Sequence, residues 1–188
     1  MYYRFEPDIY ATSSITKEPA LPGFGTSFIT GSLINAKIDT PMVFQSNFTR
    51  DDPPKSYVGL SIPVWSKELV ELFRYNGVDN FECFEAIIRT KEPGIEWTGY
   101  FAVNIVGLVA AANKLKSNFT EILTSPSGVP LAAFHELVLN GKEVHSFDLF
   151  RLAESTSTII VSEKVINILG NNPRSGGWGI SAIEVEEN

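Results

Sequence analysis

Two similar segments lie 96 positions apart in the chain, and their shared pattern decides the expected fold. The first, Pro63–Phe73, reads PVWSKELVELF, and the second, Ile159–Leu169, reads IIVSEKVINIL. Each consists of an apolar tripeptide, a serine, two charged residues and then apolar positions at helical spacing. A serine before such a run is typical of a helix N-cap, because its hydroxyl accepts a hydrogen bond from an unpaired amide of the first turn. The pattern predicts a short helix at each site.

The repeat has two explanations that the sequence leaves open. An ancient duplication would place the same helix and strand unit twice in one chain. Chance is the alternative, because an apolar stretch followed by serine and charged residues is a common way to begin a helix. The possible internal repeat therefore covers residues 63–73 and 159–169.

The regions around the two segments complete the expected fold, a single α+β domain over residues 1–188. Residues 1–58 are interrupted by proline and glycine every few positions, which predicts a loop-rich N-terminal lobe. Residues 59–188 are expected to form the core, a mixed and mostly antiparallel sheet with two or three short helices. Strands are expected at Tyr2–Phe5, Ser27–Ile29, Met42–Gln45, Phe81–Arg89, Gly99–Val106 and Ile180–Val185, a short helix at Ala110–Leu115, and a turn at Ser125–Gly128.

Composition and charge limit the classes of partner. The 188 residues are 44% hydrophobic, which is enough for one domain without a disulfide or a structural metal. The net charge of −7 disfavours nucleic acid and anionic membranes as main partners, because both need clustered lysine and arginine. A basic protein partner remains compatible with it. The sequence shows no signal-peptide pattern and no apolar run long enough to span a membrane, so we expect a cytoplasmic protein.

The two histidines are the main candidates for catalytic or metal chemistry. His135 and His145 flank Asn140-Gly141, a dipeptide typical of a two-residue hairpin turn, which predicts that they lie near each other across two strands. Glu136 or Glu143 would be a third candidate ligand, but strand alternation places Glu136 on the opposite face from His135, and no cysteine supports the site. We therefore expect no metal and no cofactor. An uncharacterised enzyme with a pocket near His135 and His145 remains an alternative function.

Carboxylate pairs and tryptophans are the other candidates for a site. Asp51-Asp52 and Glu186-Glu187 fall in a predicted loop and at the chain end, where solvated surface is expected. Trp97 and Trp178 lie beside glycines in predicted loops. Tryptophan is enriched among the residues that contribute most to protein–protein binding. Trp97 and Trp178 are therefore the predicted partner-binding residues.

Several short motifs, taken in order, resemble the eleventh family of bacterial immunity proteins. They are Pro63–Leu69, Gly77–Asn80, Phe84–Ile88, Tyr100–Gly107, Leu149–Leu152, Ile159–Val165 and Gly179-Ile180. The resemblance covers roughly residues 60 to 185 and rests on the order of the motifs. One departure is Ala110–Ala112, where the family tends to carry an acidic residue. If that acid contacts a toxin, the partner of this chain would differ.

The resemblance implies a function as well as a family. Members are encoded beside polymorphic toxins, so the chain is expected to be a non-enzymatic antitoxin that binds and neutralises a cognate toxin. No catalytic residues accompany the family. A homo-oligomeric interaction or structural protein is the second alternative, next to the enzyme.

Overall fold

The computed structural model describes residues 1–23, 25–124 and 130–188, and the chain is mostly β, with 43% strand and 12% helix. The expected α+β class is therefore wrong. Several stretches that looked like loops in isolation become strands, because strand formation depends on pairing with neighbours more than on local propensity. The described elements are β1 (Tyr2–Pro7), β2 (Ile15–Lys17), β3 (Met42–Ser46), β4 (Tyr57–Gly59), β5 (Pro63–Ser66), α1 (Lys67–Tyr75), β6 (Phe81–Thr90), β7 (Glu96–Ile105), β8 (Leu108–Val109), β9 (Asn118–Thr124), β10 (Pro130–Glu136), β11 (Val138–Leu139), α2 (Gly141–Val144), β12 (Leu149–Leu152), β13 (Ser155–Ser162), α3 (Glu163–Asn171) and β14 (Ile180–Glu187).

The strands form two six-stranded sheets and one hairpin. Sheet I has the order β2-β3-β6-β7-β5-β4, and sheet II has the order β11-β14-β1-β13-β12-β8. Strands β9 and β10 pair with each other as a separate antiparallel hairpin. Both sheets mix parallel and antiparallel pairs, so the expected single sheet is replaced by two.

The two repeat segments occupy equivalent places in the two sheets. In sheet I, α1 connects β5 to β6, and β7 lies between them, antiparallel to both. In sheet II, α3 connects β13 to β14, and β1 lies between them, again antiparallel to both. The next strands match as well. In sheet I, β4 pairs antiparallel with β5, and in sheet II β12 pairs antiparallel with β13. On the other side, β3 pairs parallel with β6, as β11 does with β14. Five strands therefore share their order and directions in both sheets, while duplication as their origin remains a hypothesis.

The strands of the first 58 residues are divided between the two sheets, and the segments that connect them are turn-rich. Strand β1 pairs between β13 and β14 in sheet II, and β2, β3 and β4 belong to sheet I. The strand expected at Ser27–Ile29 is instead part of a turn-rich segment. The expected strands at Tyr2–Phe5 and Met42–Gln45 are confirmed.

One apolar core lies between the two sheets and includes both helices of the repeat. Phe5 of sheet II stacks on Tyr57 of sheet I, with their ring centroids 5.3 Å apart, and meets Trp65 edge-on at 6.1 Å. The outer face of sheet I is covered by the segment between β2 and β3, through residues such as Phe28. The outer face of sheet II is covered in part by α2, through Val144. These apolar contacts hold the two sheets together, since burial of aromatic side chains dominates core energetics.

The hairpin expected at Asn140-Gly141 is wrong. Asn140 is the N-cap of α2, and its Oδ1 accepts a hydrogen bond from the backbone N–H of Lys142 at 3.3 Å. Asparagine is favoured both in tight turns and at helix N-caps, so the dipeptide alone did not separate the two structures. The turn expected at Ser125–Gly128 lies outside the described residues.

The helix expected at Ala110–Leu115 is also wrong. Ala112 forms a β-bridge with Leu139, and the backbone N–H groups of Ala111 and Ala112 both donate to the carboxylate of Glu154 at 3.3 Å. These tertiary hydrogen bonds outweigh the helical preference of the alanines, which amounts to on the order of 0.5 kcal/mol per residue.

Candidate protein-binding face

A cavity of about 270 Å³ lies at one end of the molecule, where sheet I and sheet II meet. Three parts of the chain form its walls: the segment after β1, the segment before and within β4, and the residue before β14. The lining residues are Pro7, Asp8, Tyr10, Ala11, Thr12, Ser13, Ser14, Phe48, Asp52, Pro53, Lys55, Tyr57, Val58, Gly59 and Gly179.

Backbone hydrogen bonds hold these three segments together. The N–H of Asp8 donates to the carbonyl of Gly179 at 3.0 Å, and the N–H of Tyr57 donates to the carbonyl of Trp178 at 3.2 Å. Gly179 has φ near +72°, and a Cβ built there would lie 2.4 Å from the Cβ of Lys55. Only glycine allows both this backbone conformation and the close approach of Lys55.

The cavity combines an apolar wall with a charged rim. Phe48, Tyr57 and Val58 are buried and supply the apolar part. On the rim, Oδ2 of Asp8 pairs with Nζ of Lys55 at 3.1 Å, and Oδ1 accepts the N–H of Tyr10 at 3.0 Å. The hydrogen bond from Tyr10, followed by that from Lys55, holds the pKa of Asp8 below its ordinary value.

Asp52 is the second carboxylate of the rim. Its Oδ2 accepts a hydrogen bond from the hydroxyl of Ser13. Among the described residues, no lysine or arginine forms an ion pair with Asp52, whereas Asp8 has Lys55. The rim therefore carries one carboxylate that is not neutralised by a nearby cation.

A groove adjoins the cavity at Trp178, between α1 and the segment that follows α3. It is lined by Glu68, Glu71, Leu72, Tyr75, Asn171, Asn172, Pro173, Arg174 and Trp178. The guanidinium of Arg174 lies 5.8 Å from the centre of the Trp178 ring and pairs with Glu68 at 2.7 Å. The indole N–H of Trp178 donates to the carbonyl of Asn172 at 3.0 Å, so the ring is held in place.

We use the name junction face for the cavity and the groove taken together. They meet at Trp178-Gly179, because Trp178 lines the groove and Gly179 lines the cavity. Tyr10 beside the cavity is 86% exposed, and Tyr75 in the groove is 91% exposed. Tyrosine, tryptophan and arginine are the residue types enriched at the centres of protein interfaces. The junction face therefore has the composition of a protein-binding surface.

The two predicted partner-binding tryptophans are not brought together. Trp178 is part of the junction face, whereas Trp97 lies at the start of β7, half-buried against the outer core of sheet I. Trp97 meets the ring of Phe48 edge-on at 6.2 Å, and Phe48 lines the cavity. Trp97 therefore supports the cavity wall from behind. A direct contact of either tryptophan with a partner remains a prediction.

The two histidines lie on different elements, so the site expected from the hairpin is not formed as predicted. His135 is exposed on β10, where its Nε2 lies 3.2 Å from Oγ1 of Thr120. His145 is the C-cap residue of α2 and is exposed beside Glu187. Within the described parts of the chain, no group of three or more His, Cys, Asp and Glu side chains is placed to hold a metal ion.

Burial disfavours the thiolate form of the one cysteine in the sequence. Cys83 is half-buried on β6, and burial raises the pKa of its thiol to about 11, partly offset by Arg74. The thiol is therefore protonated near neutral pH, and the thiolate is the nucleophilic form. Over residues 1–23, 25–124 and 130–188, no helix is long and apolar enough to cross a membrane.

Buried polar side chains explain two motifs of the sequence. Asn104, fully buried in β7, donates from Nδ2 to the carbonyl of Ser32 and to the carboxylate of Glu82, both at 2.8 Å. It thereby anchors the segment that covers sheet I. Glu154, 5% exposed, holds the Ala110–Ala112 segment at which the chain departs from the family pattern. No local pattern pointed to Glu154, because its partners are the backbone amides of residues more than forty positions away.

The profile of one protein family matches residues 8–186, nearly the whole chain. That family is described as the immunity protein family Imm11, and the chain belongs to it. The resemblance seen in the sequence is therefore confirmed, and family membership indicates a role in immunity to a toxin. Proteins of this kind are generally non-enzymatic. No curated protein matches the sequence at a significant level.

Proposed function

We propose that the chain neutralises one cognate protein toxin by direct one-to-one binding, without catalysing a reaction. The observation that carries this proposal is the match of the immunity family over residues 8–186. We also propose that the chain acts in the cytoplasm of the cell that makes the toxin.

The junction face supports a binding function. Tyr10, Tyr75 and Trp178 lie around a cavity and a groove. A partner that binds there would bury these aromatic side chains of the chain. A stable complex buries about 1,200–2,000 Å² in total, so a toxin would extend beyond this face. The net charge of −7 favours a basic partner, because complementary charge accelerates association and excludes other partners.

Self-association is the second candidate function, because exposed Tyr10 and Tyr75 also suit contact with another copy of the chain. Light scattering of the purified protein separates the two candidates: an oligomer forms without a partner, whereas an antitoxin forms a complex only when its toxin is present. The enzyme alternative loses its sequence support, since His135 and His145 do not face each other across a hairpin.

The direct test is a growth assay in bacteria followed by co-purification. The protein encoded next to this chain is induced with and without it. We expect the neighbour alone to stop growth, the chain to restore growth, and the two proteins to elute together in a one-to-one ratio.

A matched control for this assay is the chain with Trp65→Ala, a core substitution expected to unfold part of the population. It should protect less well at equal expression. A harmless neighbour, or rescue without any complex, would contradict neutralisation by binding.

A further inference from the structure

We propose that the cavity of the junction face receives a lysine or arginine side chain of the toxin, with Asp52 as its charge partner. This inference rests on the proposed function and adds to it the chemistry of the contact. Three observations carry it: the two-sided lining of the cavity, its size, and the carboxylate on its rim that lacks a cation.

The lining matches the two parts of a basic side chain. Lysine and arginine have an apolar stem and a charged end, and they place the stem on apolar surface while the charge remains at the edge. The cavity offers Phe48 and Val58 to the stem, and the rim offers the carboxylate of Asp52 to the charged end. An acidic side chain would meet this carboxylate, and a purely apolar one would leave it without a cation.

The cavity has a size that one side chain can fill. Its volume of about 270 Å³ lies below the roughly 300–1,000 Å³ typical of small-molecule sites. Interfaces commonly contain such pockets, each filled by one anchoring side chain of the partner.

The ion pairs on the rim identify Asp52 as the residue that would bind the incoming charge. Asp8 is occupied by Lys55 and by the N–H of Tyr10. Asp52 has only the hydroxyl of Ser13, and a carboxylate accepts several hydrogen bonds, including two from one arginine. A cation from the partner completes this arrangement.

Tyr10 supplies the flanking contact. It lines the cavity and is 86% exposed, so its ring is free to pack on the incoming stem or to face the cation. An aromatic face within about 6 Å of a cation attracts it, and the attraction is larger when the partner excludes water.

The experiment measures the affinity of the neighbouring gene product for four single variants of the full chain. Asp52→Asn retains the shape and the acceptor for Ser13 but removes the charge, and we expect binding to weaken by tenfold or more, about what the loss of one desolvated charge partner produces. Tyr10→Ala should also weaken binding about tenfold.

Two controls match these changes. Asp51→Asn removes the same charge from the adjacent residue, which is exposed and does not line the cavity. Leu115→Ala truncates a side chain that is 99% exposed on the segment before β9, away from the junction face. Both controls should bind within about threefold of the unchanged chain, as expected for residues outside the contact.

Salt dependence adds a second measurement. The affinity of the unchanged chain should fall as salt rises, and the fall should be smaller for Asp52→Asn but not for Asp51→Asn. Equal effects of the two asparagine variants would overturn the proposal, because they would indicate general charge attraction. Unchanged affinity in Asp52→Asn and Tyr10→Ala would also overturn it. If the unchanged chain forms no complex at all, the proposed function itself is wrong.

Discussion

Sheet I and sheet II arrange five strands and one helix in the same way, but they begin that helix with different hydrogen bonds. In sheet I, Oγ of Ser66 accepts the N–H of Leu69 at 3.3 Å, as a helix N-cap does. In sheet II, Ser162 forms no such cap, and its hydroxyl donates to Oδ1 of Asp148 at 2.7 Å. The equivalent serine therefore stabilises its own helix in one sheet and a connection to β12 in the other.

The ends of the two helices are closely similar. Nδ2 of Asn76 donates to the carbonyl of Leu72, and Nδ2 of Asn172 donates to the carbonyl of Ile168, both at 2.8 Å. These two pairs are separated by the same 96 positions as the repeat. The equivalence thus extends past the helices, to residues that the apolar pattern did not include.

The cores beside the two helices differ in size and in chemical character. Trp65 precedes α1 and contacts Phe5, Tyr57, Phe73 and Phe81. Its equivalent, Val161, precedes α3 and is equally buried, but it has no ring with which to reach the opposite sheet. The two sheets therefore have the same topology but contribute unequally to the core between them, and sheet I supplies most of the aromatic contacts.

The largest expected effect is the loss of Trp65. Trp65→Ala should lower the free energy of unfolding by about 4 kcal/mol, because truncation leaves a cavity among four aromatic rings. Val161→Ala should lower it by about half as much, since fewer buried atoms are lost. Urea unfolding followed by circular dichroism measures both.

A less disruptive variant keeps this comparison testable if Trp65→Ala fails to fold. Trp65→Phe retains most of the apolar contact, and the buried indole N–H that it removes has no partner among the described residues. It should be clearly more stable than Trp65→Ala. If Trp65→Ala and Val161→Ala lower the free energy of unfolding equally, the two sheets contribute equally to the core, and the comparison is wrong.

The second prediction concerns Arg151, a buried charge present in sheet II only. Arg151 is 1% exposed, and only its Nη1 has a partner, the carbonyl of Thr156 at 2.8 Å; Nε and Nη2 have none within the described residues. By strand pairing its position corresponds to Gly59 of sheet I, because Arg151 pairs with Ile159 as Gly59 pairs with Pro63. Burial lowers the pKa of Arg151 to about 10.

Replacing this charge should stabilise the protein. The charged guanidinium is disfavoured in the folded state, and this penalty is fully present below pH 10 and decreases as pH rises toward the ordinary pKa of an arginine side chain. Arg151→Met should therefore raise the free energy of unfolding at pH 7 by about 1–2 kcal/mol, after loss of the hydrogen bond to Thr156. Arg151→Lys, which keeps a buried charge, is the control and should not stabilise. A destabilised methionine variant would show that the guanidinium contributes favourably to the fold.

The two helices of the repeat were predictable from the sequence, whereas the assembly of the strands was not. Ser66 and the apolar spacing after it predicted α1, and the same pattern predicted α3, because caps and amphipathic faces are local signals. The pairing of β1 with β13 and β14 joins the two ends of the chain, and no local pattern specifies such a contact.

The candidate site was even less accessible to sequence analysis. Trp178 was identified as a possible contact by residue type, but its relation to the cavity depends on Gly179 and on segments from distant parts of the chain. Asp52 was interpreted as solvated surface, which its exposure supports, yet its position on the cavity rim follows only from the meeting of the two sheets. The histidine site was expected from a hairpin signal that instead begins α2.

The third prediction tests the different roles of the equivalent serines. Ser66→Ala removes the side-chain acceptor for the N–H of Leu69 and should lower the free energy of unfolding by about 1 kcal/mol, the usual effect of losing an N-cap. Ser162→Ala removes a hydrogen-bond partner of Asp148 but no helix cap. It should lower the free energy of unfolding by about half as much as Ser66→Ala does. Hydrogen exchange adds a local readout: Ser66→Ala should speed exchange in the first turn of α1, and Ser162→Ala should leave the first turn of α3 nearly unchanged. Faster exchange in both first turns would mean that Ser162 also caps its helix.

The smallest effect is expected at Asp148, which accepts the hydrogen bond of the Ser162 hydroxyl in sheet II. Burial alone would raise the pKa of Asp148, but hydrogen bonds from Lys164 and Ser162 outweigh it, and the pKa lies below its ordinary value. A carboxylate with a lowered pKa in the folded state stabilises the protein above the ordinary value of 3.8, and this stabilisation is lost as pH falls through the folded value. Because the pair with Lys164 is partly exposed, Asp148→Asn should cost less than about 1 kcal/mol at pH 7. Urea midpoints at pH 7 and at pH values below 3.8 should show the difference between the variant and the unchanged chain shrinking as pH falls. A difference that stays constant with pH would mean that Asp148 acts through packing and not through its charge.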